Sequence, residues 1–214
     1  MTAQHGFTSA ILLAAGVSRR MGTLKALLDW QGRSLIIHQI VSLREAGADE
    51  VIVVLGHRAD ELQARIGVNR EVYDLGRVRC VTNEDYAQGK TTSIKTGLWA
   101  LGPSPDPDAA ILMLNVDQPR SVGIIQQTLA AHRNGNDSLI TIPTYQGKGG
   151  HPIIVSRRLY GELIAIDEQT QGMRAITERH RDCTQRVELG AAELLWDVNT
   201  PEQYQAALRA SGAG

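Results

Sequence analysis

The 214-residue chain has no long apolar run, no excess of charge of either sign, no cluster of cysteines and only one proline-rich stretch, and each absence narrows what it does. No apolar stretch approaches the ~18 residues needed to cross a bilayer. The first residues, MTAQHGFTSA, have neither the basic start nor the apolar core of a secretory leader. A cytoplasmic protein without a membrane partner is expected. The 22 basic and 23 acidic residues nearly cancel, so no global field draws nucleic acid, and attraction for phosphate must come from a local cluster. Cys80 and Cys183 lie far apart, without a CxxC spacing or nearby histidines, which predicts reduced thiols rather than a disulfide or a metal site. Gly102 to Asp108 is proline-rich but too short for a linker, and there is no internal repeat, so a single domain over 1–214 is expected.

What is present is an alternation of strand and helix signals. Ala10 to Ala15, Glu50 to His57, Arg77 to Thr82 and Ala109 to Asn115 read as buried strands. Helical spacing follows Ser34, a candidate N-cap, through Leu35, Ile36, Ile40, Val41 and Leu43, and recurs over Ala59 to Ile66 and Thr91 to Leu101. Such repetition predicts an α/β, Rossmann-like doubly wound fold, with a mostly parallel sheet, helices on both faces and ligands at the carboxyl ends of the strands. Ser138 to Ile142 and Pro152 to Val155 flank a glycine-rich turn and predict a small antiparallel addition, at the sheet edge or as a lid.

The first strand breaks into a polar, basic loop. Gly16 and Gly22 let the main chain approach a ligand closely, and Arg19, Arg20 and Lys25 bring three positive charges. A phosphate chain is the expected guest. The Walker spacing is excluded because five residues, not four, separate Gly16 from Gly22, and the dinucleotide fingerprint is excluded because Val17-Ser18 follows Gly16. What remains, L-A-A-G-x-S-x-R-M-G-x-x-K-x-L-L over Leu13 to Leu28, resembles the signature loop of the nucleotidyltransferases that build activated cofactors and sugars. Within them it is most similar to the molybdenum cofactor cytidylyltransferases.

The resemblance extends to other segments. Asp117, just past the Ala109 to Asn115 strand, matches the family's metal-binding aspartate, with Val116 where the family carries glycine. On its own, an aspartate before Pro119 is equally a turn residue. Trp196-Asp-Val-Asn-Thr-Pro201 is similar to the segments that supply a second oxygen donor, so Asp197, with Asn199 beside it, is the expected partner of Asp117 for Mg2+. Thr200-Pro201 also reads as a helix start. Asn83, Gly89 and Ser93 match a nucleotide-binding segment in which Glu84 and Tyr86 replace the usual proline and tryptophan; Thr91 to Ser93 is equally an ordinary helix opening. His151, in Gly-His-Pro, and Arg174 fall on acceptor-side positions, although Gln169 and Thr170 replace the family's Gly-Asp. His57 has no evident partner and reads as structural.

The resemblance implies an enzyme in which an acceptor phosphate attacks the α-phosphorus of a nucleoside triphosphate and pyrophosphate leaves. Leu13, Ala14, Ala15, Gly16, Ser18, Arg19 and Lys25, with Asn83, Gly89 and Ser93, are the implied nucleotide site; Lys25, Arg19 and Asp117 are the implied catalytic groups; His151 and Arg174 face the acceptor. Leu13-Ala-Ala-Gly16 follows the cytidine-specific rather than the guanosine-specific form of the loop, and the Ala15 methyl crowds a purine, so CTP is favoured. Molybdopterin as acceptor, and a transient contact with a molybdoenzyme, follow from resemblance alone. Transfer to a sugar or polyol phosphate, or a non-catalytic nucleotide-binding regulator, remain the alternatives.

Overall fold

The computed structural model describes residues 6–135, 137–169 and 172–212. In chain order, β1 (Thr8–Ala14), a small hairpin of β2 (Asp29–Trp30) and β3 (Arg33–Ser34), α1 (Leu35–Glu45), β4 (Glu50–Leu55), α2 (Ala59–Asn69), β5 (Val78–Thr82), α3 (Lys90–Leu101) and β6 (Ala110–Asn115) complete the first part. There follow α4 (Val122–Asn134), β7 (Ile140–Tyr145), β8 (Lys148–Gly149), β9 (Ile153–Ser156), α5 (Tyr160–Ile164), α6 (Met173–Arg179), β10 (Thr184–Glu188) and α7 (Pro201–Ala210).

The main sheet runs β10-β7-β9-β6-β1-β4-β5, with β8 paired to β7. β1 lies parallel between β4 and β6, and its side chains divide by alternation into the two cores. Ala10, Leu12 and Ala14 pack under α1, α2 and α4, with Ile36, Ile40, Leu62 and Ile125, whereas Ile11 and Leu13 face α3, α5 and α6, with Ile94, Leu98, Leu163 and Ile176. A strand apolar at every position is buried on both sides. Helices therefore cover both faces, and the carboxyl ends of β1, β4, β5 and β6 open at one end.

The expected antiparallel pair is present as β7 and β9, built into the sheet rather than laid over the site as a lid. β9 is inserted between β6 and β7, antiparallel to both, and β10 forms the edge. That reversal matters for the site: the start of β9 lies at the same end as the finish of β6, which brings His151 beside Asp117. Ser34 does occupy the N-cap of α1, but its side chain makes no capping bond. Gly102 to Asp108 is irregular, as a surface loop should be, and Thr170 lies outside the described residues. No described helix is long and apolar enough to cross a membrane.

His38 on α1 and His132 on α4 are held by burial at pKa values of about 4, and Arg33 and Arg133 add to the effect. Below pH ~6.5 the unfolded chain takes up these protons while the native state does not until about pH 4, so stability present above ~6.5 is lost as pH falls. Each ring contributes a loss of up to about 2 kcal/mol by pH ~5. Urea unfolding is expected to show a clearly lower midpoint at pH ~5 than at ~7.5, and His132→Gln should flatten that dependence; equal midpoints for the wild-type protein would contradict it.

Candidate active site

Segments far apart in the sequence converge at the carboxyl end of the sheet around a cavity of about 470 Å3. The end of β1 supplies Leu13 and Ala14 to its wall, and the loop after it Ala15, Gly16 and Ser18. Ser18 adopts φ 57°, a left-handed conformation uncommon for a side-chain-bearing residue, and its Oγ accepts a hydrogen bond from the Lys25 amide at 3.1 Å. The loop is thereby closed on itself and Lys25 is turned inward. Gly56, after β4, admits no side chain, because a Cβ there would stand 2.8 Å from Ala15 Cβ and from Tyr86 Cβ. Ala15 and Tyr86 thus meet over bare backbone and form one cavity wall.

The charged centre lies across from this wall. Lys25 Nζ donates to Asp117 Oδ2 at 2.6 Å and to Asn199 Oδ1 at 2.7 Å. The Val198 amide donates to the Asp117 carbonyl at 2.8 Å, which clips the Asp197 to Asn199 segment to the end of β6. Behind it, Val198 packs with Met21, Trp30, Leu35 and Ala207, and Thr200 and Gln203 form a capping box that starts α7 at Pro201. Burial, and then the neighbouring Asp117 charge, raise the pKa of Asp197. Two carboxylates in mutual repulsion, with an amide oxygen alongside, suit a hard divalent cation. Among the described residues no cluster of three or more His, Cys, Asp or Glu exists, so the remaining ligands would be phosphate oxygens and water.

Arg120 holds this arrangement from below. It is 1% exposed, and its guanidinium donates to the carbonyls of His151 (2.8 Å), Pro119 (2.8 Å), Trp196 (3.2 Å) and Leu194 (2.8 Å). One side chain therefore ties the segments carrying His151 and Asp197 to the end of β6. Burial lowers the Arg120 pKa to about 10, against the pull of Glu193, Asp197 and Asp117, so it stays charged at neutral pH. His151 lines the cavity with a pKa lowered to about 3, first by burial and then by Lys90 and Arg120, so its ring is neutral.

The sequence-derived residues are distributed unevenly. Gly89, Ser93, Asp117, His151, Asp197 and Asn199 line the cavity with the loop residues and Lys25. Asn83 stands behind the wall, where its amide donates to Thr92 Oγ1 and Ser93 Oγ, both at 2.9 Å, and so fixes Ser93. Arg19 is exposed and outside the wall, and Arg174 lines a smaller adjoining cavity. His57 has a structural place: its amide bonds the Ala15 carbonyl at 3.2 Å and its ring packs near Tyr86. Sequence reasoning missed Arg120, Lys90 and Glu168. Glu168 Oε1 accepts from the Thr91 amide and hydroxyl at 2.6 and 2.9 Å, and a Cβ at Gly89, whose φ is 130°, would collide with the Glu168 carboxyl group.

Comparison with known proteins places this geometry in context. The MobA-like NTP transferase domain matches residues 10–184. The chain is 26% identical to the molybdenum cofactor cytidylyltransferase of Escherichia coli, over 91% of this chain and 92% of that protein. It is 29% identical to the nicotine blue oxidoreductase of Paenarthrobacter nicotinovorans, over 91% and 93%. Among solved structures, Rv0371c of Mycobacterium tuberculosis superposes with a TM-score of 0.77 at 23% identity, covering 96% of this chain and 100% of that one. A manganese complex of Rv0371c gives 0.72 at 21%, with the same coverage.

Proposed function

Since the chain belongs to the MobA-like NTP transferase family, a family of enzymes, we propose that it transfers CMP from CTP to a phosphate-bearing small molecule, molybdopterin, and releases pyrophosphate. The observation that carries this reading is the Lys25 ammonium held at 2.6 Å from Asp117 and 2.7 Å from Asn199, with Asp197 beside them, in a cavity walled by the glycine loop.

Asp117 and Asp197 would hold Mg2+, with Asn199 Oδ1 as a further oxygen; the ion, when bound, supplies charge neutralisation on the phosphates. The chain's own residues do the rest. Main-chain groups of Ala14 to Ser18 lie along the triphosphate, and Lys25 places a fixed positive charge where negative charge grows as pyrophosphate departs. Phosphoryl chemistry of this kind asks for in-line positioning and electrostatic stabilisation rather than a covalent intermediate. The Ala15 methyl, packed against Gly56 and Tyr86, narrows the wall on the base side and favours a pyrimidine. Tyr86 lines the same wall.

The nicotine blue oxidoreductase relative favours a second reading, a redox enzyme on the same fold, which predicts turnover without pyrophosphate. Calorimetric titration with CTP, GTP, ATP and UTP in Mg2+ separates the two. CTP is expected to bind at least about tenfold more tightly than GTP, a difference of ~1.4 kcal/mol. GTP preference, or no nucleotide binding, would contradict the proposal.

A further inference from the structure

A second cavity, of about 180 Å3, adjoins the first, and its wall is largely apolar, with Ile94, Met113, Ile153 and Met173. Lys90, from the first turn of α3, lines both cavities, as His151 does. Among the described residues the other cations are confined to one or the other: Lys25 to the first, Arg174 to the second. Lys25 is also engaged with Asp117 and Asn199, whereas no described carboxylate lies within ion-pairing distance of the Lys90 ammonium. Desolvation at the seam lowers the Lys90 pKa, while Asp117, Asp197 and Glu168, at longer range, each pull the other way and favour its charged form. His151, neutral beside it, adds hydrogen-bonding capacity but no charge.

Transfer between two phosphates requires that a second anion be brought against the triphosphate, and that anion needs a cation of its own. We propose that Lys90 anchors the acceptor's phosphate at the seam between the two cavities, so that the acceptor is a phosphomonoester whose body lies against the apolar wall of the second cavity. This rests on the transferase reading for its chemistry, but not for the binding it asserts. Glu168 keeps the seam in place: its carboxylate holds the Thr91 amide and hydroxyl, next to Lys90, and Gly89 leaves room for that contact. Nothing in the family resemblance assigns a role to position 90, where the matched pattern fixes Asn83, Gly89 and Ser93.

The test uses phenyl phosphate, a phosphomonoester with a flat apolar body, titrated calorimetrically into the full-length protein loaded with Mg2+ and α,β-methylene-CTP, so that the triphosphate site is blocked. Lys90→Gln is expected to weaken phenyl phosphate at least about tenfold while changing the affinity for the CTP analogue less than about threefold; Lys90→Arg should restore most of the loss. Because Lys90 is exposed at a helix start, the variants should keep the wild-type melting temperature. Wild-type protein that fails to bind phenyl phosphate, an unchanged affinity in Lys90→Gln, or an equal loss for the CTP analogue each overturns the proposal. If wild-type protein does not bind the CTP analogue, the transferase reading fails separately, and the same comparison on the free protein still decides whether Lys90 holds a phosphomonoester.

Discussion

Lys25→Ala and Asp117→Ala are each expected to lower turnover about 100-fold or more while leaving the folded protein nearly as stable as before. Both side chains border an open cavity, 14% and 22% exposed, so water reaches whichever partner is left and losing their ion pair at 2.6 Å costs folding little beside what it costs turnover. Their contribution to transfer is larger because it is preorganised. Ser18 fixes the Lys25 backbone and the Val198 amide fixes Asp117, so neither group has to be ordered when the triphosphate arrives. The two variants should fail differently. Without Lys25, the carboxylates keep each other's company uncompensated, so metal affinity should hold or rise while kcat falls; without Asp117, metal-dependent nucleotide binding should fall as well. Steady-state kinetics with a Mg2+ titration separates these outcomes, and full turnover in either variant would show that the roles are misassigned.

The second large effect is expected at Arg120. Arg120→Met removes the donors from four backbone carbonyls inside the fold, and burial leaves water little access to replace them. A loss of about 3 kcal/mol or more is expected in urea unfolding, larger than a surface substitution gives. Activity should fall too, because the carbonyls of His151 and Trp196 belong to the segments that present His151 and Asp197. Arg120→Lys should rescue poorly, since an ammonium cannot reach four carbonyls from one fork. Wild-type stability in Arg120→Met would show that the guanidinium is not the tie between these segments.

These two sites also mark what could be read from the sequence. Lys25 stands in a run of fixed spacing, and the apolar strands before and after it reveal an α/β sheet through their length and alternation with helices. Its pairing with residues 92 and 174 positions away is not a local property; only the resemblance of whole segments brought Asp117 and Asn199 to attention. Arg120 follows Pro119 without any periodic signal, and its burial depends on three distant carbonyls. Lys90 lies between two matched positions, and its facing toward both cavities depends on how α3 packs over β1 and β4, with β6 and β9 across the second cavity. The direction of β9 is likewise invisible in a pattern of alternate residues, which reads the same both ways. β10, TQRVE, is a polar edge strand and lacks the apolar run that marked the others. α4 was overlooked although Ser121 and Ile124, Ile125, Thr128 and Leu129 carry an N-cap and a helical stripe; the Ser121 hydroxyl does accept from the Ile124 amide.

The most direct test of the account is pyrophosphate release from CTP by purified protein in Mg2+ when molybdopterin is added, with GTP, and with a panel of sugar phosphates, run in parallel. Release is expected with CTP and molybdopterin together, and neither with CTP alone nor with GTP in its place. No pyrophosphate from any nucleotide and acceptor pair, under conditions in which CTP binds, would contradict it.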